Sequence, residues 1–332
     1  MKKITLTFLL VLSAILSAQA QAQTTLVALE PKDFDSNMMV YPTWFKDASG
    51  GYYAYVASND KILMYDFKGS PSKVAMETTK EAHQKNISQR GLSSNKNGVL
   101  VSVADDNAIK IWSSTLTLIA TIQEKPTKLA AETGMGAAAV ANNATLVAYA
   151  FYGKDDVTVI KIKDYLLKKD IITLKGHGKE LIKKVVFSDN GKYIISASDG
   201  ELIVWEIATG KALDKYAGKN LAAPIFTPDN KSYIVQNDKN LFKRSINGKE
   251  LSTFGSSFED KAFVSYTISN DGKFLYGANA EIFIKWNAQT GAEMKKITYK
   301  GMSYITYSIV ATDGKTALSV GTAKMHLVKL DW

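Results

Sequence analysis

KKVVFSDNGKYIISASDGELIVW, residues 183–205, contains three short apolar runs separated by two turn signals. The runs are Val185-Val186-Phe187, Tyr193-Ile194-Ile195 and Leu202-Ile203-Val204-Trp205. Asp189-Asn190-Gly191 separates the first pair and Asp199-Gly200 the second. Asn-Gly and Asp-Gly accept the positive φ angles of tight hairpin turns, so the stretch reads as three antiparallel strands. A turn at Thr209-Gly210 and the run Lys211 to Tyr216 add a fourth. One small sheet cannot cover both of its apolar faces, so it must stack against others.

The same pattern recurs at 44–65, 90–112, 138–162, 223–244, 265–286 and 306–330. The third strands end at Tyr65, Trp112, Ile162, Trp205, Arg244, Trp286 and Leu330, spaced by 47, 50, 43, 39, 42 and 44 residues. Four strands at that period are the mark of a propeller blade. The expectation is an all-β fold: a seven-bladed β-propeller of four-stranded antiparallel blades. A sandwich would not repeat its turns in phase. The last copy stops after its third strand, whereas Thr25 to Leu29 is strand-like and has no blade of its own. The last blade is therefore expected to be closed by this N-terminal strand, which would leave no open sheet edge.

Residues 1–22 read as a secretory signal peptide. Lys2 and Lys3 precede the apolar run Ile4 to Leu16, and small residues follow at Ala18, Ala20 and Ala22. The run is shorter than the roughly 20 residues that a membrane span needs. Residues 23–332 would then form one propeller domain with no transmembrane span, periplasmic or secreted. The chain has no cysteine, which excludes disulfides, thiolate metal sites and a lipid-modified N-terminal cysteine. A core of this size needs no disulfides. The formal charge is +9, from 41 basic and 32 acidic residues. These lysines are scattered in short doublets rather than gathered on one stripe, which argues for solubility and against a nucleic-acid partner.

The unit from Leu174 to Glu206 resembles a WD-repeat blade. It carries Gly176-His177, then Phe187-Ser188, then Ser196 to Asp199, then Trp205-Glu206. In that family a Gly-His pair opens the blade and a Trp-Asp pair closes its third strand. The resemblance implies a structural tetrad of His177, Ser196 (or Ser198), Asp199 and Trp205, with Asp199 six residues before the tryptophan. No second Gly-His occurs, so the tetrad is expected once only. Such divergence resembles bacterial, exported propellers loosely matched to the WD40 family.

Little points to catalysis. His83, His177 and His326 are far apart in sequence, and neither His-Glu-x-x-His nor Gly-x-Ser-x-Gly is present. His83 is expected in a polar connection between Thr78 and Gln89. Gly134-Met135-Gly136 lacks a following Lys-Ser/Thr and reads as a close approach to the central channel. Lys154-Asp155-Asp156 and Asp105-Asp106-Asn107 lack the ligand spacing of a calcium loop and read as turns. No cofactor and no metal are expected. The repeat is broken instead by the long connections Thr78 to Gln89 and Gln123 to Gly134, and by the residues near inner-strand starts: Trp44, Arg90, Lys183 with Lys184, Tyr266, Tyr304 and Tyr307. Tyr, Trp and Arg favour binding hot spots. The expected function is an exported, non-catalytic binding or scaffold propeller, expected as a monomer, presenting a loop face to a protein or cell-envelope partner. Two rival readings are a metal-dependent, lactonase-like propeller hydrolase and a carbohydrate or envelope-polymer binder.

Overall fold

The computed structural model describes residues 27–29, 43–46, 52–66, 74–77, 82–125, 136–142, 145–152, 157–221, 223–255, 265–279, 282–298, 305–321 and 325–332. The segment 1–22 and Thr25-Leu26 lie outside the described residues.

The described residues form an all-β propeller with four-stranded antiparallel blades and no helix. Sheet I is Thr43–Lys46, Tyr52–Ser58, Lys61–Asp66 and Val74–Glu77. Sheet II is Ile87–Ser94, Leu100–Ala104, Ala108–Trp112 and Leu118–Gln123. Sheet III is Ala138–Val140, Leu146–Tyr152, Thr158–Asp164 and Lys169–Lys175. Sheet IV, formed by the stretch quoted first, is Lys184–Phe187, Tyr193–Ala197, Glu201–Glu206 and Ala212–Ala217. Sheet V is Ile225–Phe226, Ser232–Asn237, Asn240–Ser245 and Glu250–Phe254. Sheet VI is Ser265–Ile268, Phe274–Ala278, Ile282–Asn287 and Glu293–Thr298.

Six blades are thus built from consecutive strands, not the seven expected. The difference lies in a composite sheet, VII. Ile305–Val310, Thr316–Gly321 and Met325–Lys329 take their fourth strand, Val27–Leu29, from the other end of the described chain. Val27 stands opposite Leu327, Ala28 opposite His326 and Leu29 opposite Met325.

The sequence period has a backbone counterpart. In each of sheets I to VI the pairing of third and fourth strands shifts register at one place: Met64/Tyr65, Ile111/Trp112, Ile162/Lys163, Val204/Trp205, Lys243/Arg244 and Lys285/Trp286. These are the positions that set the repeat in the sequence. A bulge increases local twist, and here it bends each outer strand at the same point.

Alternation along the strands divides side chains between two neighbouring sheets. Ile194 faces the core shared with sheet III, and Ile195 the core shared with sheet V. Every successive pair of sheets from I to VII shares such a cluster, and Leu318 and Val320 of sheet VII pack on Ala54, Val56, Leu63 and Tyr65 of sheet I. Second strands are almost wholly buried, while the outer strand Leu118–Gln123 is largely exposed. This gradient is what radial stacking produces. Trp332 adds to it by stacking on Tyr276 of sheet VI, with ring centroids 5.7 Å apart.

Candidate functional site

The polar residues best placed for chemistry turn out to hold blades together. In sheet IV, His177 Nε2 lies 2.7 Å from Ser196 Oγ, which also accepts the Trp205 Nε1–H at 2.8 Å. Ser196 is the hydroxyl of this set. Ser198 instead bonds Glu180 and the ends of its own hairpin. Asp199 does not join the tetrad. Its side chain is 63% exposed and pairs with Lys183. His177 Nδ1 has no hydrogen-bond partner, although Glu201 Oε2 is 3.4 Å away without hydrogen-bond alignment.

The complete tetrad is in sheet II, where the sequence reading did not place one. His83 is fully buried rather than part of a polar loop. Its Nε2 lies 2.7 Å from Ser102 Oγ, and Trp112 Nε1–H donates to the same oxygen at 2.8 Å. Both oxygens of Asp106 stand 3.2 Å from His83 Nδ1. A carboxylate only accepts, so Nδ1 carries the proton and Ser102 donates to Nε2. Burial alone would raise the Asp106 pKa; the hydrogen bonds from His83, Ala108 N–H and Gln84 N–H outweigh it and hold the carboxyl below its usual range.

Hairpin length separates the two blades. Asp106 and Asp199 each stand six residues before a tryptophan, but Ser102 precedes Trp112 by ten residues and Ser196 precedes Trp205 by nine. The extra residue makes a loop of Asp105, Asp106 and Asn107, with Asn107 left-handed at φ 60° and its N–H bonded to Ala104 O at 3.1 Å. A three-residue loop of that type turns its middle side chain back toward the blade. The shorter Asp199-Gly200 turn points its aspartate outward. His83 was missed because Ala82 replaces the glycine of the Gly-His pair.

The other blades use different means. In sheet VI, Gly277 occupies the place of the serine, and Trp286 Nε1–H donates to Gly255 O at 3.2 Å instead. In sheet V, Arg244 replaces the aromatic. It donates to Tyr233 Oη at 3.0 Å and Gly248 O at 2.6 Å, faces Asp214 at 3.3 Å and stacks over Tyr216. At the head of the long connection after Gln123, Glu124 accepts from Tyr149 at 2.5 Å and Lys161 at 2.8 Å.

Of the residues singled out as a binding surface, Trp44 lies on the inner strand of sheet I opposite Ala54, Arg90 is half-buried on that of sheet II, and Lys183 precedes that of sheet IV. Tyr307 is half-buried on the inner strand of sheet VII. Tyr304 lies outside the described residues. Tyr266 is a correction: it is 4% exposed, packs between sheets V and VI, and accepts the Gln236 N–H at 3.1 Å. It is buried at the wall of the central cavity rather than displayed on the surface, which leaves the polymer-binding alternative without one of its exposed tyrosines. Asp105-Asp106-Asn107 belongs to the tetrad hairpin; Lys154-Asp155-Asp156 and Gly134-Met135 lie outside the described residues. Gly136 approaches the next blade rather than the channel, since a Cβ there would meet Ile182 O at 2.7 Å. Among the described residues no group of three or more His, Asp or Glu is close enough to hold a metal ion.

The family model described as WD domain, G-beta repeat (WD40), matches residues 168–206. That segment is the outer strand of sheet III followed by the three inner strands of sheet IV, with the His177–Ser196–Trp205 set in place. One WD40 repeat set in a β-propeller of four-stranded blades supports the WD-repeat propeller family. No curated protein matches it. The WD repeat runs one strand out of phase with the blade, so each repeat staples one sheet to the next. A WD-repeat propeller of this kind supports a protein-interaction or scaffold role.

The two histidines differ in consequence. Burial first, then the nearby Lys215 charge, lowers the His177 pKa from 6.5 to about 4. Above pH 6.5 the ring is neutral whether the chain is folded or not, and it costs nothing. Between 6.5 and about 4 only the unfolded chain takes the proton, so stability falls as the pH drops through that window. The loss expected by pH 4 is on the order of 3 kcal/mol. Denaturant unfolding of wild type and His177→Gln at pH 7 and pH 4 checks it: the variant should show a weaker pH dependence by that amount.

Proposed function

We propose that this WD-repeat propeller is an exported, non-catalytic interaction module whose composite sheet VII counts as a seventh blade and seals the ring. The reading is carried by the WD-repeat match on a scaffold whose histidine, tryptophan and hairpin carboxylate groups are engaged within the blades. Loops held by a rigid scaffold are where recognition resides. The face formed by the fourth-to-first connections and the hairpins between strands two and three carries Lys183 and the starts of the strands bearing Trp44 and Arg90. We assign recognition of a protein or cell-envelope partner to this face. Residues 1–22 serve as a cleaved leader, leaving a soluble monomer, periplasmic or secreted.

Two measurements test this. The N-terminus of protein recovered outside the cytoplasm should begin at Gln21 or Gln23; protein retaining Met1 would remove the export reading. Tagged mature protein crosslinked in its native envelope should retain a partner that is lost with Lys183→Glu and kept with Lys192→Glu on the opposite hairpins. Equal retention by both variants would remove the assigned face.

A further inference from the structure

The inner strands of sheets IV to VII line a partly open cavity of about 240 Å³, room for about eight waters. Ile225, Phe226 and Ile309 give it apolar walls, and Thr267 and Tyr307 also line it. Two charged residues of opposite sign at one end, Lys96 and Asp189, are already paired with each other, and Asp189 also accepts from Asn142 at 2.9 Å. Lys184 is different. It lines the cavity from the first position of its strand, and among the described residues it has neither an ion-pair nor a hydrogen-bond partner.

A half-buried ammonium without a counter-charge is costly, and proteins rarely keep one without a use. The Arg90 guanidinium acts on it as a like charge instead of relieving it. Burial first, and then Arg90, push the Lys184 pKa below the ordinary lysine value. The residue is half-buried and lines the cavity, so it keeps some accessible surface. A cation on a cleft with low-dielectric walls sets up a field that favours an anion.

We infer that the channel is a binding site for a small oxyanion, a phosphate or carboxylate group, with Lys184 as its charged ligand. A single such group fits the volume, and Thr267 lies on the same walls. The site is separate from the loop face proposed above, and neither reading depends on the other.

The test is calorimetric titration of the mature protein with inorganic phosphate and, separately, with acetate. Saturable binding of either probe is expected, with phosphate-only or acetate-only binding naming the class. Lys184→Met should weaken it by about tenfold or more, Lys184→Arg should retain it, and Lys192→Met on an exposed hairpin should leave it unchanged. Without anion, Lys184→Met should melt no lower than wild type, because it removes an unpaired, half-buried charge. If that variant fails to fold, Lys184→Gln serves in its place. Wild type with no saturable binding below about 10 mM, or a Lys184 variant that binds as wild type does, overturns the inference.

Discussion

Asp106→Ala is expected to destabilise the propeller by about 2–3 kcal/mol, whereas Asp199→Ala should cost less than about 1 kcal/mol. The two aspartates stand at the same distance before a tryptophan, and spacing alone would treat them as equivalent. Asp106 is 8% exposed at its side chain and faces a fully buried histidine; without it, His83 Nδ1–H keeps its desolvation cost and loses its acceptor. The Gln84 and Ala108 N–H groups lose theirs as well, both at 2.9 Å. Asp199 gives up only a surface pair with Lys183, which solvent screens. Ser102→Ala should match or exceed the Asp106 effect, because one hydroxyl serves both His83 and Trp112. Urea unfolding of the three variants ranks them. Equal costs for Asp106→Ala and Asp199→Ala would mean that the sheet IV tetrad is complete in solution.

Removing residues 23–29 is expected to have the other large effect, a fall in melting temperature of about 10 °C or more, together with self-association. Val27–Leu29 supplies the outer strand of sheet VII, and without it the Met325–Lys329 strand presents an unpaired edge. Sheet VII also carries the apolar residues that pack on both sheet VI and sheet I, so fraying there weakens two interfaces at once. Scanning calorimetry and light scattering of the shortened protein read both consequences. A shortened protein that melts with wild type and stays monomeric would show that the strand adds nothing.

The architecture was legible in the sequence because each turn signal is local. Asp189-Asn190-Gly191 makes its hairpin with Gly191 at φ 66° and its N–H bonded to Ser188 O at 2.9 Å, whatever the rest of the chain does. The strand pattern and the third-strand ends were legible for the same reason. What could not be read was side-chain direction where one residue more or fewer changes it. A single added loop residue turns Asp106 inward and its absence turns Asp199 outward. Tyr266 and Tyr307 look alike as inner-strand tyrosines and both line the cavity, yet Tyr266 is packed into the core between sheets V and VI while Tyr307 is half-buried. Lys183 and Lys184 read alike at an inner-strand start for a similar reason: adjacent strand residues point opposite ways, and only the folded ring shows which one lines the cavity.

Ring closure is the premise on which the rest stands, and the absence of native cysteine makes a direct measurement possible. Ala28→Cys combined with His326→Cys places two thiols on directly opposed positions, and Val27→Cys with Leu327→Cys does so one residue along. Opposed antiparallel residues lie about 4.5–5.5 Å apart at Cα, within disulfide range. Mild oxidation should link at least one pair within a single chain, seen as a reducible cyclic species by intact-mass and peptide analysis. Two pairs that both stay reduced, or that link only between chains, would contradict a propeller fastened by its N-terminal strand.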